Sequence, residues 1–319
     1  MENNQLPFFD LDSVGGGDEF DFNSWAELIH SKVLVAEERD SLEELYESKE
    51  YIAGLSTGFK KIDVFARGLR NGKLIIIGGR PSMVKTALAS SIVNNIVTQT
   101  KYSIAYFSLG LSRHQMIQRM ITLKAKVDAH KVRSGFLSSE EWTPLTKASA
   151  ELSEADIFID DTSPVFIQEL REKIIWLKDN RDIKLVVIDS IHQLRDFINV
   201  DGSSKCFDKV ARSLKSLACE IELPVIVLSQ VSEYCASQKR QYPQLLDLPG
   251  AGAIVNSADV VMFLHRDEYY EPTDENRGVA KLVFAKNNDG PLGTIELFFN
   301  KECMRFESVE GGGSRISKK

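Results

Sequence analysis

The order of apolar segments in this chain predicts an α/β fold. A mostly parallel sheet is covered by helices on both faces and ends in antiparallel strands at its C-terminal side. Three observations carry that prediction. The segments "KLIIIGG" (73–79), "KLVVIDS" (184–190) and "PVIVLSQ" (224–230) are apolar nearly throughout, as strands covered on both faces must be. Segments with helical periodicity separate them, which parallel strands need in order to cross over. The final strands are joined through "NDGPLG" (288–293), a tight Gly-Pro connection suited to antiparallel neighbours.

Taken in order, residues 1–22 are acidic, glycine-bearing and poor in branched aliphatics, and read as a disordered tail. Within it, Gln5 to Phe9 ("QLPFF") resembles the short peptides by which bacterial proteins dock on the sliding clamp; the plainer reading is an apolar cluster in a polar tail. From 23 to 50, the pattern W-x-x-L-I, V-L-V, L-x-x-L-Y places apolar residues near a helical period, giving an amphipathic linker helix region. Turn residues in "GLSTGFKKID" (54–63) introduce the main domain, 51–309.

In that domain, helices are predicted at 85–99, 113–127, 166–180 and 207–221. Strands are predicted at 73–79, 103–110, 156–162, 184–190, 224–230, 259–266, 278–287 and 293–300. Residues 310–319 are a frayed end, and there is no internal repeat.

Composition narrows the function classes. Net charge is -7, so no global basic footprint for nucleic acid exists and any such contact must be local. Cys206, Cys219, Cys235 and Cys303 show no C-x-x-C pairing and read as ordinary thiols of a reducing, cytoplasmic setting. No apolar run reaches membrane-spanning length, so no membrane partner is expected.

The chemistry concentrates at strand ends. "GGRPSMVKTA" (78–87) follows a strand and opens a helix, and matches G-x-x-x-x-G-K-[ST] in all but one letter. Gly79, Arg80, Pro81, Ser82, Met83, Val84, Lys85 and Thr86 form this loop, whose backbone N–H groups and helix end suit a phosphate. Lys85 is placed for terminal phosphates and the Thr86 hydroxyl for Mg²⁺; Asp189, ending "KLVVID", is placed as the Mg²⁺-side carboxylate. Gln230 ends "PVIVLSQ", where a γ-phosphate can be sensed. The loop, Asp189 and Gln230 each stand at the C-terminal end of a different predicted parallel strand, the edge where ligands bind.

With these residues, the chain resembles the ATPase domain of DnaB-type replicative helicases and its RecA-like P-loop core. The likeness is carried by "RPSM-KT", "FSL-LS", "IDDT", "ARSLKSLACEIELPVIVLSQ" and "SADVVMFLHRDEYY", and it covers most of the chain. It implies ATP and Mg²⁺ as cofactors, a ring of helicase subunits, and single-stranded DNA in the ring.

The departures are specific. Val84 replaces the second loop glycine, and a β-branched residue there strains the backbone by about 1–3 kcal/mol, weakening or displacing nucleotide. Gly110 stands where the family has the glutamate that activates water. "AKNNDGP" (285–291) keeps Lys286, but Asn288 replaces the arginine finger offered to the neighbouring subunit.

On the DNA side, "LPGAG" (248–252) puts Pro249 and Gly250 where the family has charges, and keeps Gly252; Lys239 and Arg240 are candidate phosphate contacts, or simply a solvated pair. No counterpart of the family's N-terminal helical collar is expected from the residues ahead of the linker region. "IDSIHQL" (188–194) carries one residue more than the family's segment, so His192 and Gln193 receive no role, and His192 reads as a packing residue. The pattern predicts a non-catalytic relative acting as ring subunit or adaptor. The alternative is a working ATP-dependent helicase using Lys85, Thr86, Asp189, Gln230 and Lys286.

Overall fold

The computed structural model describes residues 52–198, 204–231 and 242–309. The expected tails, the Gln5–Phe9 cluster, the linker region 23–50, Lys239 and Arg240 lie outside the described residues.

One buried carboxylate organises the entry to the sheet. Asp63 accepts hydrogen bonds from Thr57 N (2.8 Å), Thr57 Oγ1 (2.7 Å) and Ser56 Oγ (2.7 Å), pinning the entry turn to helix α1 (Lys60–Ala66). Among the described residues nine strands form: β1 (Leu74–Gly79), β2 (Ser103–Ser108), β3 (Ile157–Asp160), β4 (Ile183–Asp189), β5 (Val225–Gln230), β6 (Val260–His265), β7 (Val279–Asn287), β8 (Gly293–Asn300) and β9 (Arg305–Ser308). Their order in one sheet is β3-β2-β4-β5-β1-β6-β7-β8-β9. The first six are parallel, and β7, β8 and β9 run antiparallel at one side.

Alternation along the strands divides the core into two layers. Ile75 and Ile77 of β1 face Leu88, Ile92 and Ile96 of α2 (Lys85–Thr100), together with Met116 and Met120 of α3 (Arg113–Ala125). Leu74 and Ile76 belong to the other layer, with Leu170 and Ile174 of α6 (Ile167–Arg181) and Leu214 and Leu217 of α8 (Ser204–Ile221). Burial on both faces is why these strands carry no polar alternation.

The structure adds elements that the sequence reading passed over. Helices α4 (Ala129–Ser134) and α5 (Ser139–Ser153) fill the stretch between α3 and β3. Their starts are written in the chain. Asp128 caps α4, accepting from His130 N at 2.6 Å, and Ser138 with Glu141 forms a capping box on α5. Helix α1 replaces the end of the expected turn, and β9 extends the sheet beyond β8. A single turn, α7 (Arg195–Ile198), follows β4, and a short helix α9 (Ala251–Ser257) precedes β6.

Candidate active site

The strand pairing assembles one edge. Gly79 at the end of β1 pairs with Gln230 at the end of β5, and Ser108 of β2 pairs with Asp189 of β4. Because β2, β4, β5 and β1 are neighbours in the sheet, the four chain ends open on one crevice. Gly79 has to be glycine: a Cβ there would stand 2.9 Å from the Leu264 carbonyl oxygen. The loop then passes through buried Arg80 and Met83 and exposed Pro81 and Ser82 to Val84 at the start of α2. Val84 adopts φ 59, ψ 38, the left-handed conformation that a glycine takes easily and a β-branched residue does not. Its isopropyl group is half-buried and packs against the core.

Lys85 Nζ donates to the carbonyl oxygens of Gly79 (2.8 Å) and Arg80 (3.1 Å). Burial lowers its pKa to about 8, and the nearby Asp189 carboxylate works in the opposite direction. Burial also pushes the Asp189 carboxyl above its ordinary range, against hydrogen bonds from the Thr86 and Tyr106 hydroxyls and the charges of Arg119 and Lys85. Tyr106 Oη donates to Asp189 Oδ2 at 3.1 Å. Among the described residues, no group of three or more His, Cys, Asp or Glu is placed to hold a metal. A single carboxylate beside a threonine hydroxyl suits a magnesium ion that takes its remaining ligands from phosphates and water.

Two residues left without a role in the sequence reading border this cluster. Gln230 N–H donates to His192 Nε2 at 2.8 Å, so the imidazole is the acceptor there and carries its proton on Nδ1. Burial takes its pKa down to about 4, opposed by the Gln230 contact and helped by the Lys85 charge. His192 therefore does more than pack: it fixes the backbone at the end of β5. Gln193, next to it, lies beside Gly110.

The structure places the remaining candidates elsewhere. Lys286 pairs with Val261, and its ammonium donates to the carbonyl oxygens of Val255 (2.7 Å) and Ala258 (2.6 Å), at the C-terminal end of α9. Val261 pairs with Ile76, so Lys286 sits about 10 Å of strand away from Gly79, toward the opposite edge of the sheet. Asn288 is exposed and donates its backbone N–H to Asp259 O at 3.0 Å. Gly250 has φ 59, and a Cβ on it would meet Phe207 Cβ at 2.2 Å; a Cβ on Gly252 would meet nothing within 4 Å.

The profile of the DnaB-like helicase C terminal domain matches residues 54–308. The chain belongs to that family. Over 284 residues it is 36% identical to the replicative DNA helicase DnaB of Geobacillus stearothermophilus, covering 88% of this chain and 62% of that protein. Over 280 residues it is 35% identical to the replicative DNA helicase DnaC of Bacillus subtilis (strain 168), again covering 88% and 62%. This DnaB-like chain thus spans less than two thirds of the length of these curated relatives.

A solved structure described as an ATPase domain superimposes with a TM-score of 0.81 at 29% identity, covering 89% of this chain and 100% of that one. A DnaB-like replicative helicase, described with its interactions with primase, gives 0.79 at 29% identity, covering 88% and 67%. The RecA-like fold expected from the sequence is the fold this DnaB-like chain has. Among the described residues, no helix is long and apolar enough to cross a membrane.

Proposed function

We propose that this DnaB-like chain works in DNA replication as a nucleotide-binding ring subunit or adaptor that hydrolyses ATP slowly or not at all. The observation that carries the reading is the combination at one sheet edge of an assembled Lys85–Thr86–Asp189 cluster with Gly110, which has no side chain to offer a water. Lys85 would hold the terminal phosphates, Thr86 and Asp189 would hold Mg²⁺, and Gln230 would sense the γ-phosphate; the metal, when bound, would supply charge neutralisation.

Loss of a general base lowers rate by about 10²–10⁴. An arginine finger contributes roughly 10³–10⁵, and Asn288 lacks its charge. The two losses act on one event and do not multiply. Lys286 and Asn288 lie away from this chain's own loop, which suits residues that serve a neighbouring subunit's nucleotide.

Ring neighbours, single-stranded DNA and the sliding clamp are the proposed partners. Lys239, Arg240 and Gly252 are the proposed DNA contacts, and Gln5–Phe9 the proposed clamp contact. A primase contact, as in the matched helicase structure, is a further candidate. A second reading, an active ATP-dependent helicase, is favoured by the complete Lys85–Thr86–Asp189 cluster.

Phosphate release with single-stranded DNA and Mg²⁺ separates the two. The proposal expects turnover well below about one per second, and a rate within the ordinary enzyme range of about 1–10³ per second overturns it. Recovery of hydrolysis in the combined Val84→Gly, Gly110→Glu, Asn288→Arg variant assigns the silence to those positions. Position 110 admits the change: a Cβ there meets Gln193 atoms at 3.7 and 4.0 Å, ordinary contact distances.

A further inference from the structure

Ser108 and Asp189 are paired neighbours, and Leu109 N–H donates to Asp189 O at 2.8 Å. The segments that leave β2 and β4 therefore run side by side at the crevice edge. After β2 comes Gly110, exposed and without a side chain. After β4 comes a tight turn, Ile191–Gln193, that brings the Gln193 side chain back toward β2. Gln193 Nε2 and Cδ lie 3.7 and 4.0 Å from the point where a Cβ on Gly110 would stand. The amide is also anchored: Ser190 Oγ donates to Gln193 Oε1 at 2.5 Å, while the backbone N–H of Gln193 donates to the Ser190 carbonyl oxygen at 3.1 Å and closes the turn. Ser190 itself is buried directly after Asp189, so the anchor is tied to the strand that carries the carboxylate.

The geometry points to Gln193 as the residue that orients the attacking water in this site, from the space beside Gly110. The inference rests on the reading above that the loop holds ATP, and it names the source of the slow residual hydrolysis. The amide has the groups required. Its carbonyl oxygen keeps a lone pair beyond the one given to Ser190, for a water O–H, and its N–H groups can face a phosphoryl oxygen.

Phosphoryl transfer depends mainly on positioning and charge stabilisation, so an orienting amide supports it at reduced speed. Gln193 takes no proton. The water oxygen bonds to the γ-phosphorus while the bond from that phosphorus to the β–γ bridging oxygen breaks. ADP leaves with the electron pair, and the water's proton passes to a γ-phosphoryl oxygen, so inorganic phosphate departs. The extra residue in "IDSIHQL" thereby has a consequence, since Gln193 lies within the turn it lengthens.

The test uses the full chain with excess protein over γ-labelled ATP and Mg²⁺, alongside titration with a fluorescent ATP analogue. Wild type is expected to bind the analogue and cleave ATP slowly. Gln193→Ala is expected to bind within about twofold of wild type and to lose roughly tenfold to hundredfold in single-turnover rate. Gln193→Glu is expected to retain cleavage and to add an acid limb to the pH–rate profile, because a carboxylate titrates and an amide does not.

Wild type that binds but never cleaves overturns the inference, as does Gln193→Ala cleaving at the wild-type rate with unchanged affinity. Should Gln193→Ala melt early, Gln193→Glu decides alone, and a pH profile identical to wild type overturns the inference. Absence of nucleotide binding by wild type removes the underlying reading as well, which distinguishes the two failures.

Discussion

Val84→Gly separates a cost of folding from a cost of binding. Val84 holds φ 59, ψ 38 between β1 and α2, and a β-branched residue there is strained by about 1–3 kcal/mol. Glycine removes the strain but gains freedom in the unfolded chain, a loss of roughly 0.5–1 kcal/mol. It also deletes a half-buried isopropyl group packed on the core. Half the value of a fully buried valine is about 1 kcal/mol. The opposed contributions leave the fold within about 1 kcal/mol of its starting stability, or about 2 °C in Tm for a chain of this size.

Because the isopropyl group is turned to the core, the strain belongs to the fold rather than to a contact with phosphate. The dissociation constant for ATP should therefore change by less than about threefold, about 0.6 kcal/mol, and the valine should not weaken nucleotide binding as the strained loop alone suggests. Thermal melts and titration with a fluorescent analogue at fixed Mg²⁺ read both quantities. Tightening by about tenfold or more, 1.4 kcal/mol, refutes the reasoning, because it means that the valine opposes the phosphates directly.

Three further outcomes follow from named contacts. With the Lys85 pKa lowered to about 8, raising the pH from 7 to 9 removes most of its charge, so ATP affinity should fall. The fall approaches roughly tenfold. Phosphate binding favours the protonated amine, so the loss runs with rising pH; Lys85→Arg, which stays charged, should bind without that slope.

Lys286→Ala leaves the Val255 and Ala258 carbonyls without their ammonium donor. It should destabilise the fold by about 1.5–3 kcal/mol and speed hydrogen exchange in α9; unchanged melting and exchange would show that the ammonium is not held there. Gly250→Ala drives a Cβ into Phe207 at a positive φ. A drop of at least about 2 kcal/mol in denaturant unfolding is expected, and a neutral result refutes the close packing.

The parts of this molecule that could be read from its letters are those where one local rule suffices. Parallel strands such as β1 and β5 are buried on both faces, so unbroken apolar runs announce them and their ends. Gly79, Lys85, Thr86, Asp189 and Gln230 follow, being residues at strand ends or the loop beyond. Helices α4 and α5 escaped for different reasons: α4 offers no apolar face to the core, and α5 carries Pro144 within it, a residue that reads as a helix breaker. α4 has no buried residue, and α5 buries only Leu145, Ala148 and Leu152, although Ser138 and Glu141 declare its start. β9 has four residues with only Phe306 buried, too short for alternation to show.

The crevice itself exposes a deeper limit. Matching position 110 to a motif records a missing carboxylate and stops there. The amide beside it comes from position 193, on another strand's turn, and it arrives only because that turn bends back toward β2. A motif reads only the residues of its own segment; a side chain from a neighbouring segment, as Gln193 is to Gly110, becomes visible only when strand pairing and turn geometry set the two side by side. What stands beside position 110 is therefore a question about β4 as much as about β2.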